Sequence, residues 1–181
     1  VTDTATEIAT ETATDTATET MVDCPIDMVM VAGYTFDVGC TVGQADCADN
    51  EYPAHSVTVS NDYCIGISEV TQAAYSMLMG NNPSVFGSCD ACPVETVSWH
   101  DAAAYANARS VQDGLPLCYD CTNGECTELM NPYLCTGYRL PTEAEWEGAA
   151  RCGQDTLYAG ANEVGDVAWY LQNSGQQTHA G

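Results

Sequence analysis

Eleven cysteines are the residues in this chain best placed to do chemistry. Cys89-Asp-Ala-Cys92 and Cys118-Tyr-Asp-Cys121 have the spacing at which two thiolates reach one metal, and together they could supply a four-thiolate zinc site. Each could instead be a redox dithiol, but no βαβ pattern of the kind that carries such motifs surrounds either one. Cys126 and Cys135 favour a third reading: Cys118 to Cys135 lie in a segment with Gly, Asn and Pro, the texture of a small disulfide-stapled insertion. One pairing nests Cys121–Cys126 inside Cys118–Cys135, and closing the outer loop contributes about 3 kcal/mol in the loop-entropy model. Cys40 with Cys47 and Cys89 with Cys92 form further local pairs. Cys24, Cys64 and Cys152 remain as intermolecular or unpaired cysteines, Cys24 standing where a cross-link between subunits would be useful. Such cysteine usage fits an oxidising compartment, hence an extracellular or cell-surface protein.

The other reactive types are dispersed. His55, His100 and His179 sit in no metalloprotease or nucleophile-elbow motif. Glu143, Glu145 and Glu147 alternate, so a helix would not put them on one face, and helix capping with a solvated surface accounts for them. Against 26 acidic residues stand 3 arginines and no lysine, a net charge of −23. That field repels nucleic acid and anionic membranes. Arg139 and Arg151 are expected in internal ion pairs, because an unpaired buried charge is costly. No apolar run approaches the ~18 residues of a membrane span, and no N-glycosylation sequon occurs.

Two regions must position these groups. Residues 1–20 repeat the unit Thr-acid-Thr-Ala: every even position from Thr2 to Thr20 is threonine except Ile8, and Asp3, Glu7, Glu11, Asp15 and Glu19 alternate with alanines. Period four is two strand periods, so an extended backbone gathers Thr2, Thr4, Thr6, Thr10, Thr12, Thr14, Thr16, Thr18 and Thr20 on one face. A solvated linker is the plainer reading. The row is also read as a set of O-glycan acceptors, and the strand as an arm that contacts other copies of the chain. Cation bridging ranks last, since acids four residues apart in a strand are roughly 13 Å apart.

Residues 21–181 read as one α+β domain of short strands and about three helices. Asp27–Val31 and Thr35–Val38 are predicted as strands around an Ala32-Gly33 turn, followed by a loop over Gly39–Asn50 and strands over His55–Ser60 and Tyr63–Ile67. Thr71 and Gly80 bracket one helix. Ser98 caps a second that runs to Arg109, and Thr142-Glu143-Ala144-Glu145 is a capping box opening a third that ends near Arg151.

The run from Gly137 to Glu147, Gly-Tyr-Arg-Leu-Pro-Thr-Glu-Ala-Glu-Trp-Glu, with Ala149-Ala150-Arg151, resembles the signature of the formylglycine-generating enzyme (sulfatase-modifying factor) family. Met28–Val31 with Gly33 to Gly39, Glu69-Val70-Thr71, and Pro93–Trp99 with Asp101-Ala102 match in the same order. The resemblance covers roughly residues 24–181 and implies an irregular C-type-lectin-like fold, often with calcium. It also implies, for the family's enzymes, a copper-bound cysteine pair that oxidises a substrate cysteine to formylglycine. That pair belongs to the family's C-terminal half, beyond the part matching Asn173-Ser174, so no catalytic residue is assigned here. Asp166–Asn173 lies where part of a calcium site would fall, without a ligand-by-ligand match. Tyr34 stands where the family pattern has glycine, Val38 where it has methionine, and Gly148 where it has an aromatic.

The leading expectation is a secreted, non-catalytic structural subunit of a fibre or surface assembly, joined to its own copies through the repeat. The alternatives are a copper-dependent formylglycine-generating oxidoreductase whose catalytic half lies outside this chain, and a surface glycan-binding domain.

Overall fold

The computed structural model describes residues 23–45, 47–87 and 89–181. The N-terminal repeat, with its threonine row and the strand and assembly expectations that rest on it, lies outside the described residues.

The domain is a mixed α+β fold of short antiparallel pairs and three helices. Strand β1 (Met28–Val31) pairs with β4 (Tyr63–Gly66), and β2 (Tyr34–Val38) with β3 (His55–Val59). The expectation of a turn at Ala32-Gly33 is therefore corrected. The chain does not fold back there, because β1 and β2 run on as one arm of a bent ribbon and β3 and β4 form the other. Val31 faces Tyr63 and Tyr34 faces Val59, so two residues on one arm oppose three on the other. This is the arithmetic of a β-bulge, and the Gly33 N–H is satisfied there by the Asp62 carboxylate at 2.8 Å.

Helix α1 (Gln72–Met79) starts at Thr71, whose hydroxyl accepts from the Ala74 N–H, and ends at Gly80. The Gln72 and Ala73 N–H groups donate to the carbonyls of Cys92 and Asp90, so the 89–92 loop closes the open end of this helix. Helix α2 (Trp99–Gln112) carries a full capping box between Ser98 and Asp101 and runs three residues past the expected Arg109. Its Ala103 and Ala106 form the core with Cys118, Tyr119 and Cys126. Alanines on this face let the backbone of the neighbouring hairpin come close. Asn107 then clamps that hairpin, accepting from the Cys118 and Tyr119 N–H groups and donating to the Tyr119 carbonyl at 2.8 Å.

The stapled segment is a β-hairpin, β5 (Tyr119–Thr122) with β6 (Glu125–Glu128), rather than irregular loop. Asn123 and Gly124 both have positive φ, 55° and 83°, the two-residue turn that Asn-Gly favours. Cys121 and Cys126 face each other in the register and are bonded, and Cys118–Cys135 closes around them. Helix α3 (Glu143–Arg151) begins at the Thr142–Glu145 capping box and packs on β2 and β3.

The departures from the family pattern at Tyr34 and Gly148 meet in space. A Cβ on Gly148 would run into the Tyr34 ring, so the aromatic expected on the helix is supplied from the strand. Alanine at 148 should gain roughly 1 kcal/mol of helix propensity yet lose more to overpacking, for a net loss of about 1–3 kcal/mol. Gly148→Phe alone should unfold more easily than wild type. Combining it with Tyr34→Gly should recover part of that loss in urea titrations, whereas strictly additive losses would show that the two positions do not exchange volume.

Candidate functional site

Ten of the eleven cysteines are bonded. Besides the hairpin pair, Cys40–Cys47 and Cys89–Cys92 close local loops and Cys24 bonds Cys64. The last pairing corrects the reading of Cys24 and Cys64 as intermolecular or unpaired. Met30 faces Cys64 in the β1–β4 register, and the chain entering β1 returns along it closely enough to bring the two Cα atoms to 5.7 Å. Forty residues separate them, so spacing carried no sign of the bond. The four-thiolate zinc reading also falls, because Cys89 and Cys92 bond each other while Cys118 and Cys121 bond Cys135 and Cys126.

Cys152 alone is free, exposed at the C-terminal cap of α3. A copper site of the family type needs two thiols, and these residues do not fit one. Nor do Asp166–Asn173 gather a calcium ligand set. The Asn173 side chain closes its own turn, accepting from the Tyr170 N–H at 2.7 Å and donating to the Ala168 carbonyl at 2.9 Å. Among the described residues no three His, Cys, Asp or Glu side chains converge on a metal position.

The charged centre of the fold lies at the start of α3. Glu145 is 1% exposed, and both its oxygens accept from Arg139 at 2.7 Å in a bidentate pair. The Thr142 N–H adds a third bond at 2.8 Å. Burial opposes the charge on Glu145, but the Arg139 and Thr142 hydrogen bonds outweigh it and hold the carboxyl below its ordinary pKa. The Glu145 carbonyl accepts from the Tyr63 hydroxyl at 2.8 Å, and Tyr34 donates to the Ala144 carbonyl at 3.1 Å. Desolvation, then the Tyr34 hydroxyl beside it, pushes the Tyr63 phenol up.

The other two arginines are equally committed. Arg151 bonds Glu147 at 2.6 Å, the Gly39 carbonyl at 2.8 Å and the Thr41 hydroxyl at 2.9 Å, tying the 39–54 loop to α3. Arg109 pairs with Asp27 at 2.6 Å and lies 4.4 Å over the Tyr138 ring. His100 bridges α2 to the hairpin: its Nδ1 accepts from the Cys126 N–H at 2.9 Å while Nε2 meets Glu125 at 2.8 Å.

Two concavities flank α3. A cleft of about 700 Å³ with mixed polar and apolar lining lies toward the 39–54 loop and includes Glu143, Glu147, Arg151 and Tyr158. An apolar groove of about 800 Å³ lies on the other side, between β4, α1, α2 and α3. Tyr75 and Tyr105, stacked at 5.5 Å, line it with Ile65, Val70, Val97 and Leu140. Trp146 is 63% exposed and borders both. Sequence reasoning did not find the groove, because its lining comes from six separate stretches of chain, between residues 27 and 146, none of them unusual alone.

A family model described as the sulfatase-modifying factor enzyme 1-like domain matches residues 12–181. The chain is 37% identical to a Paenibacillus barcinonensis protein named Chaperone protein LppX, over 86% of this chain and 57% of that protein. Among solved structures it resembles Treponema denticola variable protein 1, with a TM-score of 0.66 and 31% identity over 84% of this chain and 63% of that one. It also resembles CarF, with a TM-score of 0.60 and 31% identity over 85% and 69%. The chain thus spans just over half the length of the curated relative.

Removing Arg139 tests the buried pair. Arg139→Met leaves Glu145 buried without its partner and should cost about 3–5 kcal/mol at neutral pH. In wild type the folded pKa of Glu145 is depressed, so its stabilisation is complete above the unfolded value of about 4.3 and is lost as pH falls through the folded value. In the variant, burial acts unopposed and raises the folded pKa, so protonation relieves the strain. The stability gap between the two proteins, measured by urea titration from neutral pH downward, should therefore begin to narrow above about pH 4.3, as pH falls through the variant's raised value, and go on narrowing until the wild type's depressed value is passed. A constant gap would contradict the assignment.

Proposed function

The chain belongs to the sulfatase-modifying factor enzyme 1-like family, and from that premise we propose that it is a secreted or surface, non-catalytic member that works by binding and assembly. The observation that carries this is the state of the thiols. Ten cysteines are in disulfides and Cys152 stands alone, so the thiols of the described residues serve the fold as staples, while the family's copper-binding pair belongs to a part beyond them. Five disulfides in one small domain also suit an oxidising compartment. A relative named as a chaperone agrees with a role in holding other proteins.

Within this reading the Thr-acid-Thr-Ala repeat is the arm of the molecule. Extended, its twenty residues reach roughly 65 Å, well beyond a domain with a radius of gyration of about 15 Å. It contacts neighbouring copies, carries O-linked sugars on its threonines, or does both.

Alkylation of the denatured, unreduced protein should label one cysteine, and label eleven after reduction. Two or more reactive thiols before reduction would break the disulfide assignment on which this reading rests. An intact mass above the 19.2 kDa of the polypeptide, with hexose-spaced increments on the N-terminal peptide, should accompany the repeat. Deleting residues 1–20 should abolish assembly in sedimentation velocity while leaving the thiol count unchanged. Assembly that survives the deletion would exclude the repeat as the joining element.

A further inference from the structure

We propose that the apolar groove between β4, α1, α2 and α3 docks a basic amphipathic segment of a partner protein, one whose apolar side chains enter the groove while flanking lysines or arginines meet its acidic rim. The site is on the folded domain and independent of the repeat, so either proposal can fail without the other.

Shape and charge both enter the argument. The groove holds about 800 Å³ between elements that leave Ile67 and Trp146 68% and 63% exposed. Exposed large apolar side chains grouped around a concavity mark interaction sites rather than ordinary surface. An exposed tryptophan at such an edge is the kind of anchor that dominates interface energetics. The groove also borders β4, which among the described residues pairs only with β1.

Charge selects the occupant. Two arginines line the groove, and both are already matched, Arg109 by Asp27 and Arg139 by Glu145. Of the two carboxylates that line the groove, Asp27 is taken by Arg109 and Glu69 on the rim has no such match. The remaining charge around the apolar surface is negative. A second copy of this chain would bring −23 to meet it, and the repeat would bring five acids. A partner with cationic flanks gains where those two are repelled.

Three synthetic peptides of equal length test the assignment at physiological ionic strength: an amphipathic Leu/Lys helix former, its Leu/Glu counterpart, and a Ser/Lys peptide with the same charge and no apolar face. The Leu/Lys peptide should bind one to one in calorimetry, and the other two should not. Ile67→Lys should weaken it about tenfold or more. Val42→Lys makes the same change in charge at a 90% exposed position outside the groove and should have little effect. Equal binding of the Ser/Lys peptide, or equal losses in the two lysine variants, would reduce the effect to unspecific charge attraction and overturn the proposal. So would self-association abolished by Ile67→Lys, which would make the occupant a second copy. Peptide binding that appears only after residues 1–20 are deleted would overturn it too, since the groove would then be covered from within by the repeat.

Discussion

The bidentate pair between Arg139 and Glu145 is the contact on which the rest of the domain hangs. It lies where three parts of the chain meet: the extended run from Gly137 to Pro141, the first turn of α3, and the ribbon whose tyrosines reach the helix backbone. Glu145 serves as capping-box residue, buried anion and hydrogen-bond relay at once. Its carboxylate holds Arg139 and the Thr142 N–H, while its carbonyl takes the Tyr63 hydroxyl. One strand away, the Tyr119 hydroxyl donates nowhere into solvent but lies against the Leu140 N–H at 2.9 Å, which donates to it. The hairpin is thereby registered to the same segment. A charge removed from water at this junction is tolerable only because every oxygen is engaged, which makes the geometry all-or-none and gives the irregular fold a single arrangement.

Disulfides complete what that junction begins. With three helices, short strands and a core built largely of alanine, tyrosine and half-cystine, apolar burial is modest for a chain of this length. The bonds fall in loops and at short two-stranded pairs. They sit in the 39–54 loop, in the loop closing the start of α1, in the hairpin, and where the chain enters β1. Cross-links there lower the entropy of the unfolded chain without calling for a larger core. They also commit ten of the eleven thiols to the fold.

Helix starts were legible because their signals are local: Thr71, Ser98 and Thr142 each act through N–H groups three residues on. Local cysteine pairs were legible for the same reason. The β5–β6 hairpin carried its signal openly in Asn123-Gly124, but the density of cysteines around it led to a loop reading. What could not be read depends on register. Cys24 meets Cys64, and the presumed turn at Ala32 becomes a continuous bent arm, only once β1 has chosen β4. The Tyr34–Gly148 exchange was visible as two separate departures from the family pattern, and their common cause appears only when strand and helix are in contact. The groove is the extreme case, since no one of its six stretches is unusual alone.

The acidity of the chain acquires a structural meaning from its three cations. Had any arginine been free, the surface would offer an anionic partner at least one point of attraction. All three are instead held by carboxylates of the same domain, at 2.6 to 2.7 Å, and so serve the fold. The surplus of acid is therefore what the molecule presents to others, and salt screens it with a Debye length of about 8 Å at physiological strength. Contacts made across open surface are weakened by that screening, whereas contacts seated in a groove that excludes water are weakened far less. For an acidic protein whose apolar groove carries an unmatched carboxylate, selectivity for a partner is then set where the two features adjoin, at the rim shared by Glu69, Ile67 and the apolar wall.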